Sequence, residues 1–150
     1  MSDKLLAPAV VAVVFTGFTN LYLERRKAGR DLATKIADSL RDDLRSLQIS
    51  GVEYWSRARK QGDEAIEARL LASQEDVLET LTLLDGEFQL GICDRDDLRP
   101  ELLDSLTGGD FQSAERKADP SRVIRLSKTA GELRSRIIRN RTVRLRRRGV

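Results

Sequence analysis

The first hydrophobic feature of the chain is a block. Residues 5–23 (LLAPAVVAVVFTGFTNLYL) form a run of 19 residues without a charge. As a helix rising about 1.5 Å per residue, it reaches about 28 Å, close to the roughly 30 Å hydrocarbon core of a bilayer. Its apolar side chains, among them Leu5, Val10, Val14, Phe15, Phe18 and Leu23, fall on every face. All-round apolarity suits lipid better than the one-sided contact that a small charged domain offers. Pro8 lies in the first turn, where a helix tolerates a missing N–H, and Tyr22 lies where a ring sits among headgroups. The block predicts a transmembrane helix.

Beyond it the block gives way to stripes. Leu32, Ile36, Leu40, Leu44 and Leu47 recur every three or four residues, the pattern of an amphipathic helix continuing the first one. Ser50 and Gly51 offer a stop, since glycine just past a helix end adopts the left-handed conformation readily. Val52, Trp55, Ile66, Leu70, Val77, Leu81, Leu84 and Phe88 then predict the longest cytoplasmic helix. A reversal near Gly51 sets the two stripes face to face as an antiparallel hairpin.

Residues 86–99 read as a connector. Asp96 or Asp97 caps a short helix over Leu98, Leu102, Leu103 and Leu106, which Thr107, Gly108 and Gly109 end. Asp110 caps a turn at Phe111. Pro120 opens a last helix after Asp119, with Val123, Leu126, Ala130, Leu133 and Ile137 on its apolar face. The expected fold is all-α: a single N-terminal transmembrane helix, a cytoplasmic helical hairpin and shorter C-terminal helices. The expected divisions are an anchor over 1–23, a cytoplasmic helical domain over 24–133 and an arginine-rich basic tail over 134–150.

Charge orients this arrangement. Lys4 is the only basic residue before the block, whereas Arg25, Arg26, Lys27 and Arg30 follow it directly. The positive-inside rule then places the N-terminus outside an inner (cytoplasmic) membrane and the remainder in the cytoplasm. A cleavable signal would carry its charge before the block and a small-x-small site after it, so the expectation is an uncleaved anchor. Within the anchor, Ala12, Thr16 and Gly17 approximate small-residue spacing and Asn20 adds a polar group, which suggests self-association.

The net charge of +3 conceals three blocks: +4 over residues 1–60, −11 over 61–110 and +10 over 111–150. The last contains Arg134, Arg136, Arg139, Arg141, Arg144, Arg146, Arg147 and Arg148 in a stretch without an acid. Anionic headgroups contribute about 1 kcal/mol per basic residue near the surface, so membrane lipid is the first expected partner of this tail. The acidic block or an acidic cytoplasmic protein comes second. Nucleic acid is less favoured, because no aromatic residue interleaves the arginines for base stacking.

Catalytic chemistry has little to work with. The chain has no histidine and one cysteine, Cys93, which removes most nucleophile–base and transition-metal arrangements. Gly86 and Gly91 have phosphate-loop spacing, but Ile92 and Cys93 stand where Lys and Ser/Thr are required. Asp94, Asp96 and Asp97 lack the glycine of a calcium loop. The pairs Glu64 with Glu67 and Glu75 with Glu79 read as solvated helix charges, and Tyr54 with Trp55 as a core or protomer contact. No enzyme, cofactor or metal site is expected. The expectation is a membrane-anchored interaction or scaffold protein that forms homo-oligomers. The alternatives are a membrane-perturbing oligomer and a tethered nucleic-acid binder.

Overall fold

The computed structural model describes the backbone of residues 3–93 and 98–147 and the side chains of residues 20–93 and 98–143. Those residues are all-helical, with no strand among them. In chain order the helices are α1 (Asp3–Trp55), α2 (Asp63–Gly86), α3 (Leu98–Thr107) and α4 (Pro120–Arg147). The chain divides into two units, Met1–Thr34 and Lys35–Val150.

The first unit is helical from Asp3. Asn20, Leu21, Tyr22 and Leu23 are exposed, as are Arg25 and Lys27. The structure gives the expected transmembrane span no support: among the described residues, no helix is long and apolar enough to cross a membrane. Leu5, Val10, Val14, Phe15 and Phe18, and with them Ala12, Thr16 and Gly17, lie outside the described side chains.

The second unit is a helical bundle. Ala37, Leu40, Leu44 and Leu47 of α1 bury one face, at the three- and four-residue spacing that keeps side chains on one side of a helix. Leu32 is instead 52% exposed, so the expected stripe does not include it. Leu70, Val77, Leu81 and Leu84 of α2, Leu98, Leu102 and Leu106 of α3, and Leu126, Leu133 and Ile137 of α4 complete a single core. Each such side chain contributes about 1.5–3 kcal/mol when fully buried. Both long neighbours run antiparallel to α1. Tyr54 reaches Glu67 while Asp43 lies beside Asp76 across from α2, and Arg134 reaches Gln48 while Arg141 reaches Asp38 across from α4.

The reversal is not at Gly51. That residue is buried inside α1, which continues to Trp55, and a Cβ there would stand 2.5 Å from Cδ2 of Leu126 and 3.0 Å from Cδ2 of Leu106. Glycine is present for close helix approach and not for a turn. The hairpin instead turns over residues 56–62 and ends at Gly62, whose φ of 92° is a left-handed value open to glycine. Val52 and Trp55 therefore belong to α1, and α2 is shorter than the stripe suggests. The expectation of shorter C-terminal helices holds only for α3, since α4 has 28 residues against 24 in α2. It also runs through the boundary expected at 133/134, with Ile137 in the core.

The capping signals at the last two helices hold where they are described. The Asp119 carboxylate accepts the Arg122 N–H at 3.0 Å, so α4 begins at Pro120 with its cap in place. The Ser121 hydroxyl and that N–H hold Asp119 below the usual carboxylate range. After α3, Gly109 takes a φ of 61°, and a Cβ there would meet the Arg122 guanidinium at 2.6 Å. Asp96 and Asp97, expected as caps of α3, lie outside the described residues.

Two glycines inside helices should respond to substitution with opposite signs. A Cβ at Gly131 meets nothing within 4 Å, so Gly131→Ala should stabilise by up to about 1 kcal/mol through helix propensity. Gly51→Val should cost about 1–3 kcal/mol through overpacking. Urea unfolding of the two variants beside the wild type measures both.

Candidate functional site

The α1–α2 turn collects charge that a core would normally exclude. Arg116, in the loop before α4, is buried with no side-chain exposure, and its Nη2 donates to Asp63 at 2.6 Å. Its Nη1 donates to the carbonyls of Tyr54 and of Arg57, the second at 2.9 Å. The first belongs to the last turn of α1, where carbonyls lack helical partners, and the second to the turn that follows. The guanidinium lies over the Tyr54 ring, 3.7 Å from its centroid, a placement that the ring quadrupole favours.

Asp63 opens α2 and is itself 2% exposed. It receives a two-pronged contact from Arg57, at 2.8 and 3.1 Å, and the Lys60 N–H at 3.0 Å. The Arg57 hydrogen bonds lower its pKa to about 2, working with the Lys60 N–H against the burial that raises it. Beside it the Tyr54 hydroxyl donates to Glu67 at 2.8 Å and accepts the Gln112 N–H. Burial pushes that phenol above its ordinary value. Arg59 reaches Glu64 at 2.9 Å and Glu67 at 3.4 Å. Glu67 is therefore a buried partner and not the solvated helix charge expected, while Glu64, Glu75 and Glu79 are exposed.

Trp55 packs edge-on against Tyr54, donates from Nε1 to the Leu106 carbonyl at 2.9 Å, and lies under the Arg122 guanidinium. Phe111 packs against Tyr54 at a tilt, with ring centroids 5.3 Å apart. The aromatic pair is a core contact. Arg116 Nε is buried without a hydrogen-bond partner among the described residues. The cluster is a corner brace that ties the α1–α2 turn to the loop before α4.

A solvent-facing groove of about 730 Å³ lies between the C-terminal half of α1 and α4. Arg41, Arg45 and Ile49 line it from one side, and Arg134, Ser135 and Ile138 from the other. It brings one expected tail residue, Arg134, beside two arginines of α1 that the sequence pattern did not single out. Arg134 donates to Gln48 at 2.7 Å, and Arg141 pairs with Asp38 at 2.5 Å. Arg136 pairs with Glu132 one turn earlier, and Arg139 is exposed. The side chains of Arg144, Arg146, Arg147 and Arg148 lie outside those described. The acidic and basic blocks do meet, but through Arg116 with Asp63 and Arg125 with Asp104, which precede the tail.

Among the described residues, no three His, Cys, Asp or Glu side chains stand close enough to hold a metal ion. Asp94, Asp96 and Asp97 are outside that set. Asp85 accepts the N–H groups of Ile92 and Cys93 at 2.6 and 3.0 Å, which closes the chain after α2. Burial, with Asp85 nearby, raises the Cys93 thiol above its ordinary pKa and so lowers its thiolate fraction. No protein-family model, curated protein or solved structure matches the chain.

The brace gives a pH dependence with a definite sign. Because the folded Asp63 has a depressed pKa, its stabilising contribution is complete above the unfolded value of about 3.9 and is lost as pH falls toward 2. Asp63→Asn should remove that part of the acid sensitivity and leave Arg116 without its buried counter-charge, at a cost of about 3–5 kcal/mol. Thermal unfolding of both proteins between pH 7 and pH 2 measures the slope and the loss.

Proposed function

We propose that the chain is a single-pass membrane-anchored helical interaction protein, with its helical domain on the cytoplasmic side of an inner membrane. The observation that carries this reading is the exposure of Leu21, Tyr22 and Leu23, at 60%, 64% and 53%. These three consecutive residues close the 19-residue uncharged run. A helix at the centre of a soluble core would have its apolar side chains covered by protein, whereas a bilayer covers them without any protein neighbour. Arg25, Arg26, Lys27 and Arg30 follow at once, the flank expected on the cytoplasmic face.

The far end of α4 supplies the second contact. Arg139 is exposed beside Ile138 and Val143, which are 42% and 43% exposed, and Arg144, Arg146, Arg147 and Arg148 follow. Basic residues interspersed with exposed aliphatic ones suit an anionic lipid surface. An acidic partner protein offers the same charge without the apolar layer.

Two outcomes test the reading. Alkaline carbonate should leave the protein in the membrane pellet, and a Lys117→Cys probe in a Cys93→Ser background should react with an impermeant maleimide only after cell lysis. Release into the supernatant, or labelling of intact cells, overturns it. In reconstituted vesicles, trypsin should cut the arginine tail about tenfold more slowly with phosphatidylserine present than with neutral lipid alone, given about 1 kcal/mol per basic residue at the surface. Equal rates in both lipids would assign the tail to a protein partner.

A further inference from the structure

The groove between α1 and α4 has a counterpart on the same chain. On α1, Arg41, Arg45 and Ile49 stand four residues apart, and on α4 so do Arg134 and Ile138. The spacing repeats them along one side of each helix. Ile49 is 61% exposed, and Arg45 is exposed with no ion pair among the described residues. Asp42 is the one acid lining the groove, against three arginines. Its neighbour Asp38 is already engaged by Arg41 at 3.3 Å and by Arg141. Arg41 Nε is shielded from water and has no hydrogen-bond partner among the described residues. The lining is therefore mainly basic, with Ile49 and Ile138 as its exposed aliphatic side chains.

The outer face of α2 has the inverse composition. Leu71, Glu75, Glu79 and Leu83 recur at four-residue intervals, opposite in charge to the groove and likewise flanked by aliphatic side chains. Leu71 and Leu83 are each 40% exposed, and both glutamates are exposed without an ion pair among the described residues. Nothing in the bundle requires leucine at these two positions, since the core face of α2 is built from Leu70, Val77, Leu81 and Leu84.

We propose that the α2 face of one copy docks into the α1/α4 groove of a second copy, with Glu75 and Glu79 against Arg45 and Arg134. The exposed leucines and isoleucines then cover one another. The two surfaces differ, so the contact is heterologous, and a pair of copies leaves one groove and one α2 face unoccupied for the next. Opposite charge orients the copies and selects against groove-to-groove pairing, while the aliphatic contacts supply the burial. The proposal concerns the second unit alone and does not rest on the anchor.

The test uses the full-length chain in detergent micelles, with mass measured by light scattering. The wild type should form concentration-dependent oligomers that weaken as salt rises. A groove variant (Arg45→Glu with Arg134→Glu) and an α2 variant (Glu75→Lys with Glu79→Lys) should each be monomeric. Mixed one to one they should associate again, because the intact α2 face of the first fits the intact groove of the second and the two reversed surfaces are once more opposite in charge. That complementation also shows that both variants are folded. Overturning results are a monomeric wild type, oligomers that persist in either variant, as association through the anchor would give, or a mixture that stays monomeric. Circular dichroism of each variant should keep the wild-type helical signal, and a loss of that signal in the groove variant is met by Arg45→Ala alone, which should still weaken association at least tenfold. Unchanged association of a folded Arg45→Ala protein also overturns the proposal.

Discussion

A guanidinium taken out of water must meet a counter-charge and acceptors at fixed positions, and Arg116 imposes that requirement on the whole second unit. It collects a carbonyl from the end of α1, one from the turn after it, the carboxylate that begins α2 and the ring of Tyr54 around one planar group. The backbone follows: Arg59 N–H donates to the Arg116 carbonyl, and Asp119 N–H donates to the Trp55 carbonyl. The same corner therefore fixes where α1 stops, how α2 departs and where α4 begins. Trp55 extends the constraint to α3 through its hydrogen bond to the Leu106 carbonyl.

Leucine packing alone would not specify this geometry. The cores of α1, α2 and α4 are mostly leucine, a side chain that accepts several helix registers with little change in buried area. Burying charged groups costs several kcal/mol per ion before pairing, and replacement by apolar groups is often neutral or stabilising. The corner therefore adds little net stability over a hydrophobic alternative. Its effect is selection, because a slip of α2 by one turn leaves Asp63 or Arg116 buried without its partner. Gly51 acts in the same direction by admitting Leu126 and Leu106 against the α1 backbone at one level.

The stripes and caps of the helices were legible in the sequence because each depends on neighbours along the chain. Leu40, Leu44 and Leu47 announced the buried face of α1, and Asp119 with Pro120 announced the start of α4. What was not legible depends on partners far away. Gly51 looks like a helix stop until Leu126, 75 positions later, is seen to press on it. Glu67 looks like a surface charge until Tyr54 and Arg59 are placed beside it. A local signal for the corner existed: three basic residues, Arg57, Arg59 and Lys60, directly before Gly62, Asp63 and Glu64. Such a change of sign across a glycine marks a turn stapled by ion pairs. Half of the groove was foreseeable from the arginine count of the tail, but Arg41 and Arg45 alternate with acids in the sequence and gain meaning only when α4 lies alongside.

The three charge blocks acquire a physical explanation from this layout. Near-neutral sequences conceal strong fields when opposite charges are sorted onto different helices. Two ion pairs, Arg116 with Asp63 and Arg125 with Asp104, join the acidic and basic blocks, at the corner and at α3. Glu75 and Glu79 on α2, and Arg45 and Arg139 on α1 and α4, face outward. Asp38 of α1 meets Arg141 of α4 on their shared seam, but further along it Arg41, Arg45 and Arg134 stand together with Asp42 as the one acid. Like charges set side by side on a folded surface raise its energy unless counter-ions or an opposite surface screen them. In the α1–α4 groove that cost falls on Arg41, Arg45 and Arg134, with Asp42 as the one acid in the lining to offset it.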